Sequence, residues 1–227
     1  MTSTLADNHD EVVQRIRKAC EHAGRPAGTV TLVAVTKFHS ADAVRALAQA
    51  GATHFAESRV QEARDKVPGL KSLGTWHFIG HLQTNKAKVC AELFDVVQSV
   101  DSLRLAEKLS EAAVGLGKTL QVFAQVNISL EAQKQGFAPD GEDGAIAALA
   151  VLPGLKLVGL MGMAAVYDDP EAARPDFRRL RQLRDRLAPS LGPLSLSMGM
   201  SQDFEIAIEE GADLVRVGSA LFRGCPD

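Results

Sequence analysis

Short runs of apolar residues, five to nine long, alternate along the chain with longer stretches in which apolar positions recur every three or four residues. The runs TLVAVTK (31–37), THFAE (53–57), WHFIG (76–80), FDVVQSV (94–100), LQVFAQVNI (120–128), LKLVGLM (155–161), LSLSM (194–198) and DLVRVGS (213–219) predict buried strands. Between them, ADAVRALAQAG, SLRLAEKLSEAA and PDFRRLRQLRDRLA carry the helical period. A helical lead-in over about residues 8–23, closed by Gly24 and Pro26, precedes the first strand. Ser40, Asp101 and Ser201 are the predicted N-caps, and Gly51 and Gly211 fall where a helix needs a left-handed residue to stop.

Eight strands alternating with helices predict a (β/α)8 TIM barrel, one domain spanning 1–227. An open doubly wound sheet is the alternative, but its nucleotide-binding turn is missing. GLGKT (115–119) is the nearest approach to a P-loop, yet it has Ala112 where glycine is needed and follows a helix.

Composition narrows the function classes. With 46% apolar and 23% charged residues a packed core forms readily, and a net charge of −3 gives no field to attract nucleic acid or anionic membrane. No run of about 18 apolar residues could span a bilayer. The N-terminus lacks a secretory signal, and three cysteines form no CxxC pair. These features predict a soluble, cytoplasmic protein. The arginines of FRRLRQLRDRL (177–187) alternate with leucines near Asp176 and Asp185, which reads as a solvated helix face rather than a nucleic-acid surface. Six histidines include no pair with ligand spacing, so no metal site is expected.

A barrel of this kind gathers its chemistry at the C-terminal strand ends, with phosphate after strands 7 and 8. That map puts Lys37 at the end of strand 1, Glu57 and Ser58 at strand 2, and Asn127 at strand 5. His77 reads as a hydrogen-bonded strand histidine, and Met161 and Met163 as packing. The last two turns, Ser197 to Ser201 and Arg216 to Ser219, each present small residues and hydroxyls before a predicted helix. Free backbone N–H groups there would make an anion cup. A free lysine has a pKa of about 10.4, so Lys37 needs desolvation or a neighbouring cation to act as a nucleophile. Strand 8 neighbours strand 1 in a closed barrel, which brings Arg216 to the same mouth. Lysine, arginine and anion cup suit a phosphorylated aldehyde held as a Schiff base.

The segments VAVTK (33–37), AESRVQE (56–62), WHFIGHLQTNK (76–86), VQSVDS (97–102) and LSMGMSQDFEIAIEEGADLVRVGSALF (196–222) resemble the pyridoxal phosphate homeostasis family. That family is similar in fold to the N-terminal barrel of alanine racemase, and the likeness runs from about residue 9 to 224. The resemblance implies that Lys37 forms the internal aldimine with pyridoxal 5′-phosphate. It implies that Ser201, Gly218 and Ser219 hold the phosphate with Met200 beside them, and that Arg216 faces the pyridine nitrogen. Ser58 stands where the family usually has an asparagine near the ring, His81 replaces a common proline, and Ser219 a frequent threonine.

An arginine opposite the ring nitrogen only donates hydrogen bonds, so it keeps that nitrogen unprotonated and weakens the electron sink. Racemisation also needs an acid/base on the face opposite the lysine, and the lone tyrosine, Tyr167, follows strand 6. The expectation is therefore a monomeric carrier, not an enzyme, that buffers pyridoxal phosphate and passes it to apo-enzymes. The alternatives are a weak amino-acid racemase or another Schiff-base barrel catalyst such as an aldolase.

Overall fold

Eight parallel strands pair in chain order and close into a barrel, β1 lying beside β8. They are β1 (Thr31–Val35), β2 (His54–Glu57), β3 (Thr75–Phe78), β4 (Val96–Val100), β5 (Leu120–Val126), β6 (Leu155–Gly162), β7 (Ser195–Ser197) and β8 (Leu214–Val217). The helices are α1 (Leu5–His22), α2 (Ala41–Gln49), α3 (Val60–Lys66), α4 (Ala87–Leu93), α5 (Leu103–Gly115), α6 (Asp143–Leu149), α7 (Arg174–Leu191) and α8 (Phe204–Glu209). This computed structural model describes residues 4–225, so both ends of the predicted 1–227 span lie outside the described residues. The predicted barrel and lead-in helix are both present. Among the described residues no helix is long and apolar enough to cross a membrane.

Alternation along each strand separates two environments. Ala34, Phe55, Phe78, Val97, Val122, Leu160, Leu196 and Val215 belong to the main core between sheet and helices. Residues of the opposite parity point into the barrel. Val33, Val35 and Ala56 make one small apolar cluster there, and Val96, Phe123 and Met161 another. The same inward parity carries His77, Gln98, Gln125, Ser197 and Arg216, all buried. A barrel of this type normally fills its interior with layers of branched apolar side chains. Here much of the lumen is polar.

The strands are mostly shorter than the sequence predicts, and two of the three predicted caps differ. Ser40 accepts the Ala43 N–H as expected. Before α5 the cap is Ser102, not Asp101, because the chain turns helical one residue later; Ser102 accepts the Leu105 N–H and Asp101 accepts the Ser102 hydroxyl. Ser201 is no cap, since α8 starts only at Phe204, and no helix follows Ser219, where the chain makes turns up to Gly224. Gly51 and Gly211 do stop their helices with φ of 105° and 101°. GLGKT is the frayed end of α5, where Lys118 donates to the Ala91 and Phe94 carbonyls.

The arginine-rich helix α7 is charge-compensated. Glu210, buried, receives Arg174 at 3.3 Å, Arg178 at 3.0 Å and Arg181 at 3.0 Å. Burial pushes its carboxyl up, but the three guanidiniums outweigh that and hold it below the usual range. Arg174 also reaches Glu171 and Glu209, and Arg186 reaches Asp143. This helix ties α7 to α8 and offers a polyanion few uncommitted cations.

Candidate functional site

A cleft of about 560 Å³ opens at the C-terminal strand ends. All seven residues singled out from the sequence, Lys37, Ser58, Met200, Ser201, Arg216, Gly218 and Ser219, line it. Sequence reasoning missed the contributions of Ile79, Met163, Tyr167 and Asp203 to the same wall. Tyr167 and Met163 follow β6 on this rim, so their position along the chain was the available signal. Asn127 does not reach this cleft; its amide donates to the Glu131 and Lys134 carbonyls.

Lys37 lies two residues past β1, in a turn, and is exposed. Of a solvated rim charge and a desolvated, semi-enclosed amine, the two settings open to a lysine at a strand end, the structure has the first, with the amine in an open cleft. Among the described residues no hydrogen bond or ion pair engages its Nζ, which lies 5.7 Å from the Phe38 ring centroid.

The turn itself is held from below. Phe38 has φ of 70°, the left-handed region that a bulky residue rarely adopts. Lys66 donates to the carbonyls of Thr36 and His39, both at 2.9 Å, so one ammonium ties down the residues bracketing Lys37 and Phe38. The same ammonium lies 2.7 Å from Glu57 Oε1, which also accepts the Thr36 hydroxyl at 2.7 Å. Glu57 is fully buried and its other oxygen has no partner, so a single oxygen carries the compensation. Glu57 is thus a support beneath the site and no part of its lining.

On the opposite wall the Ser201 hydroxyl accepts the N–H groups of Gly218 and Ala220, both at 3.3 Å, which fastens the β7 turn to the β8 turn. With both acceptor contacts filled, its hydrogen remains free to donate. The N–H groups of Ser201, Gln202 and Ser219 have no partner among the described residues. The cup therefore consists of two cross-linked turns rather than two helix starts. Asp203 accepts the Met200 N–H at 2.6 Å; burial raises its carboxyl, with the Met200 N–H and Arg216 pulling the other way.

Gly199 opens this turn with φ of 91°, and a Cβ there would sit 2.6 Å from the Ala207 Cβ and 2.9 Å from the Phe204 Cα. Gly199→Ala is expected to cost about 2–3 kcal/mol by adding backbone strain to a clash that pushes α8 away. Urea denaturation measures it, and a cost below about 0.5 kcal/mol would contradict the close packing.

Arg216 lies on β8, its guanidinium donating to Ser197 Oγ at 2.8 Å and the Gly162 carbonyl at 2.9 Å. Burial lowers its pKa to about 10 against the pull of Asp203, which still leaves it charged at neutral pH. Tyr167 donates its hydroxyl to Asp176 at 3.2 Å; burial and that carboxylate push the phenol above its usual range.

Comparison with known proteins places this geometry. Residues 8–226 match the family described as alanine racemase, N-terminal domain. The chain is 45% identical over 221 residues to the pyridoxal phosphate homeostasis protein of Pseudomonas aeruginosa, covering 97% of this chain and 95% of that one. The protein of that name from Aquifex aeolicus is 39% identical, covering 93% and 94%. The chain belongs to the pyridoxal phosphate homeostasis protein family.

Among solved structures, PipY of Synechococcus elongatus PCC7942 with PLP bound is 35% identical with a TM-score of 0.80, covering 93% of this chain and 99% of that one. An alanine racemase from Clostridium difficile, 17% identical with a TM-score of 0.75, covers 95% of this chain and 56% of that one, and is alike in fold. Within the homeostasis family frame, the departures have plain settings. Ser58 lines the cleft with a short side chain, and His81 lies at its edge, 3.5 Å from Asp101.

Proposed function

We propose that this chain binds pyridoxal 5′-phosphate in the cleft, with Lys37 as its covalent anchor, and serves to maintain the intracellular supply of that cofactor. What carries the reading is the convergence of an unpartnered amine, a buried guanidinium and unpaired N–H donors on one cleft. The relatives' shared name points the same way.

The residues fit the molecule. Ser201, Ser219 and the free N–H groups beside them offer donors to a phosphate, and Lys37 offers a primary amine across the cleft. Arg216, always a donor, suits a ring nitrogen that accepts. When bound, pyridoxal phosphate supplies an aldehyde carbon that condenses reversibly with amines and a ring that withdraws electrons once its nitrogen is protonated. Arg216 holds that nitrogen unprotonated. Tyr167, kept protonated by Asp176, is a poor base. Both features favour holding over turnover. Delivery to apo-enzymes and a monomeric state extend the same reading.

The test is titration of the purified protein with pyridoxal phosphate, borohydride reduction and peptide mapping. One phosphopyridoxyl group on Lys37 is expected. Labelling of Lys86 or Lys134 instead would refute the anchor, and no labelling at all would refute binding of this kind.

A further inference from the structure

A continuous hydrogen-bond chain crosses the barrel lumen from the cleft to the opposite rim. Arg216 Nη1 lies 2.8 Å from Ser197 Oγ, and Ser197 Oγ 2.6 Å from Gln98 Oε1. Gln98 Nε2 is 2.9 Å from His77 Nδ1, and His77 Nε2 3.0 Å from His54 Nδ1. Five strands contribute one residue each, and the Ser197–Gln98 contact joins β7 to β4 across the lumen. Arg216, Ser197, Gln98 and His77 are buried and His54 half-buried.

The guanidinium and the amide orientation of Gln98 together set the direction of every bond. A guanidinium only donates, so Ser197 Oγ accepts from Arg216, and its own hydrogen goes to the Gln98 carbonyl oxygen that faces it. The Gln98 NH₂ is then the group that faces His77. His77 accepts at Nδ1, carries its proton at Nε2 and donates to His54, which accepts at Nδ1 in turn. Both imidazoles are thereby neutral Nε2–H tautomers. Their pKa directions agree: burial lowers His54, and burial together with His54 lowers His77 to about 3 despite Asp95.

We infer that Gln98 and His77 are positioning residues which, through Ser197, fix the orientation in which Arg216 presents its remaining N–H groups to the cleft. The inference rests on the proposed cofactor reading only for its functional consequence. A guanidinium tied at both Nη atoms, with Ser197 Oγ itself locked by Gln98, cannot rotate about its Nε–Cζ bond without breaking two hydrogen bonds. Apolar clusters around Val33 and Phe123 share the lumen with this chain, and a polar path there stays only when every member is satisfied.

Nuclear magnetic resonance of the ligand-free protein tests it, using ¹⁵N-labelled histidine and arginine. His77 and His54 should both show the Nε2–H tautomer, and the Arg216 Nη signals should be separately resolved. Gln98→Leu should let those signals average. In the isosteric Gln98→Glu, His77 should gain a proton at Nδ1, which a merely space-filling role for Gln98 would not produce. With pyridoxal phosphate added, Gln98→Leu should bind it about tenfold more weakly, the scale of losing one charge-assisted contact, while Gln98→Glu, which still accepts the Ser197 hydroxyl, should keep its affinity. In Gln98→Leu the absorption of the bound chromophore should also shift in its pH profile.

Nδ1–H tautomers in the wild type, or Arg216 signals as well resolved in Gln98→Leu as in the wild type, would overturn the inference. So would unchanged affinity and pH profile in a Gln98→Leu protein whose Arg216 has loosened. If Arg216 loosens as expected but the wild type takes up no pyridoxal phosphate, the cofactor reading fails and the positioning of Arg216 stands.

Discussion

Lys37→Ala removes the visible absorbance of protein saturated with pyridoxal 5′-phosphate and leaves folding stability unchanged within about 0.5 kcal/mol. The two halves of this expectation have separate grounds. The amine is the nucleophile across the cleft from the anion cup, and among the described residues no second lysine lines the same cleft. Its loss removes the covalent bond altogether, while the cup and Arg216 still offer weaker, non-covalent binding. Stability is spared because the side chain is exposed and its Nζ holds no hydrogen bond. Spectra before and after addition of the aldehyde, with urea melts on both proteins, read out both halves. A variant that keeps its colour would remove Lys37 from the anchor role; one that unfolds would show the lysine to be structural.

Lys66→Met should be the most destabilising single change near the site, at about 3–5 kcal/mol. Glu57 is fully enclosed and its charge is met by one ammonium and one hydroxyl. Removing the ammonium strands a carboxylate in the protein interior and also frees the carbonyls of Thr36 and His39. The companion change Glu57→Gln in the same chain should restore more than half of the loss, since a neutral amide needs no counter-ion. A cost below about 1 kcal/mol for Lys66→Met would mean that the pair behaves like a surface ion pair. A double variant no better than the single would locate the damage in the loop carbonyls instead. Either way, with the turn loosened, reaction of Lys37 with the aldehyde should slow.

The barrel was legible because its two periods are clean: short buried runs for the strands, amphipathic stretches for the helices. The site lining was legible for a different reason, since a closed barrel turns the end of each strand into a place on one rim. Helix starts at Ser201 and Ser219 were misread because a serine in a glycine-containing turn looks like a cap. In the fold Ser201 instead bonds across to the neighbouring turn. The supports escaped notice altogether. Lys66 belongs to α3, with α2 and β2 between it and Lys37, and Gln98 meets Ser197 across the lumen at a sequence separation of 99. Partnerships of that range depend on how strands lie around a circle, which local pattern does not encode. The setting of Lys37 was undecided in the sequence: a lysine after a β-branched run can be enclosed or solvated, and the stop of the strand at Val35 decides for the solvated one.

The open position of Lys37 sets a timescale for whatever it holds. The side chain is exposed, so water and dissolved amines can compete for any carbonyl carbon bonded to its nitrogen. Occupancy would then rise and fall with the surrounding concentration of aldehyde, as in a reservoir without a lid, while the stiff turn beneath keeps every refilling in the same pose.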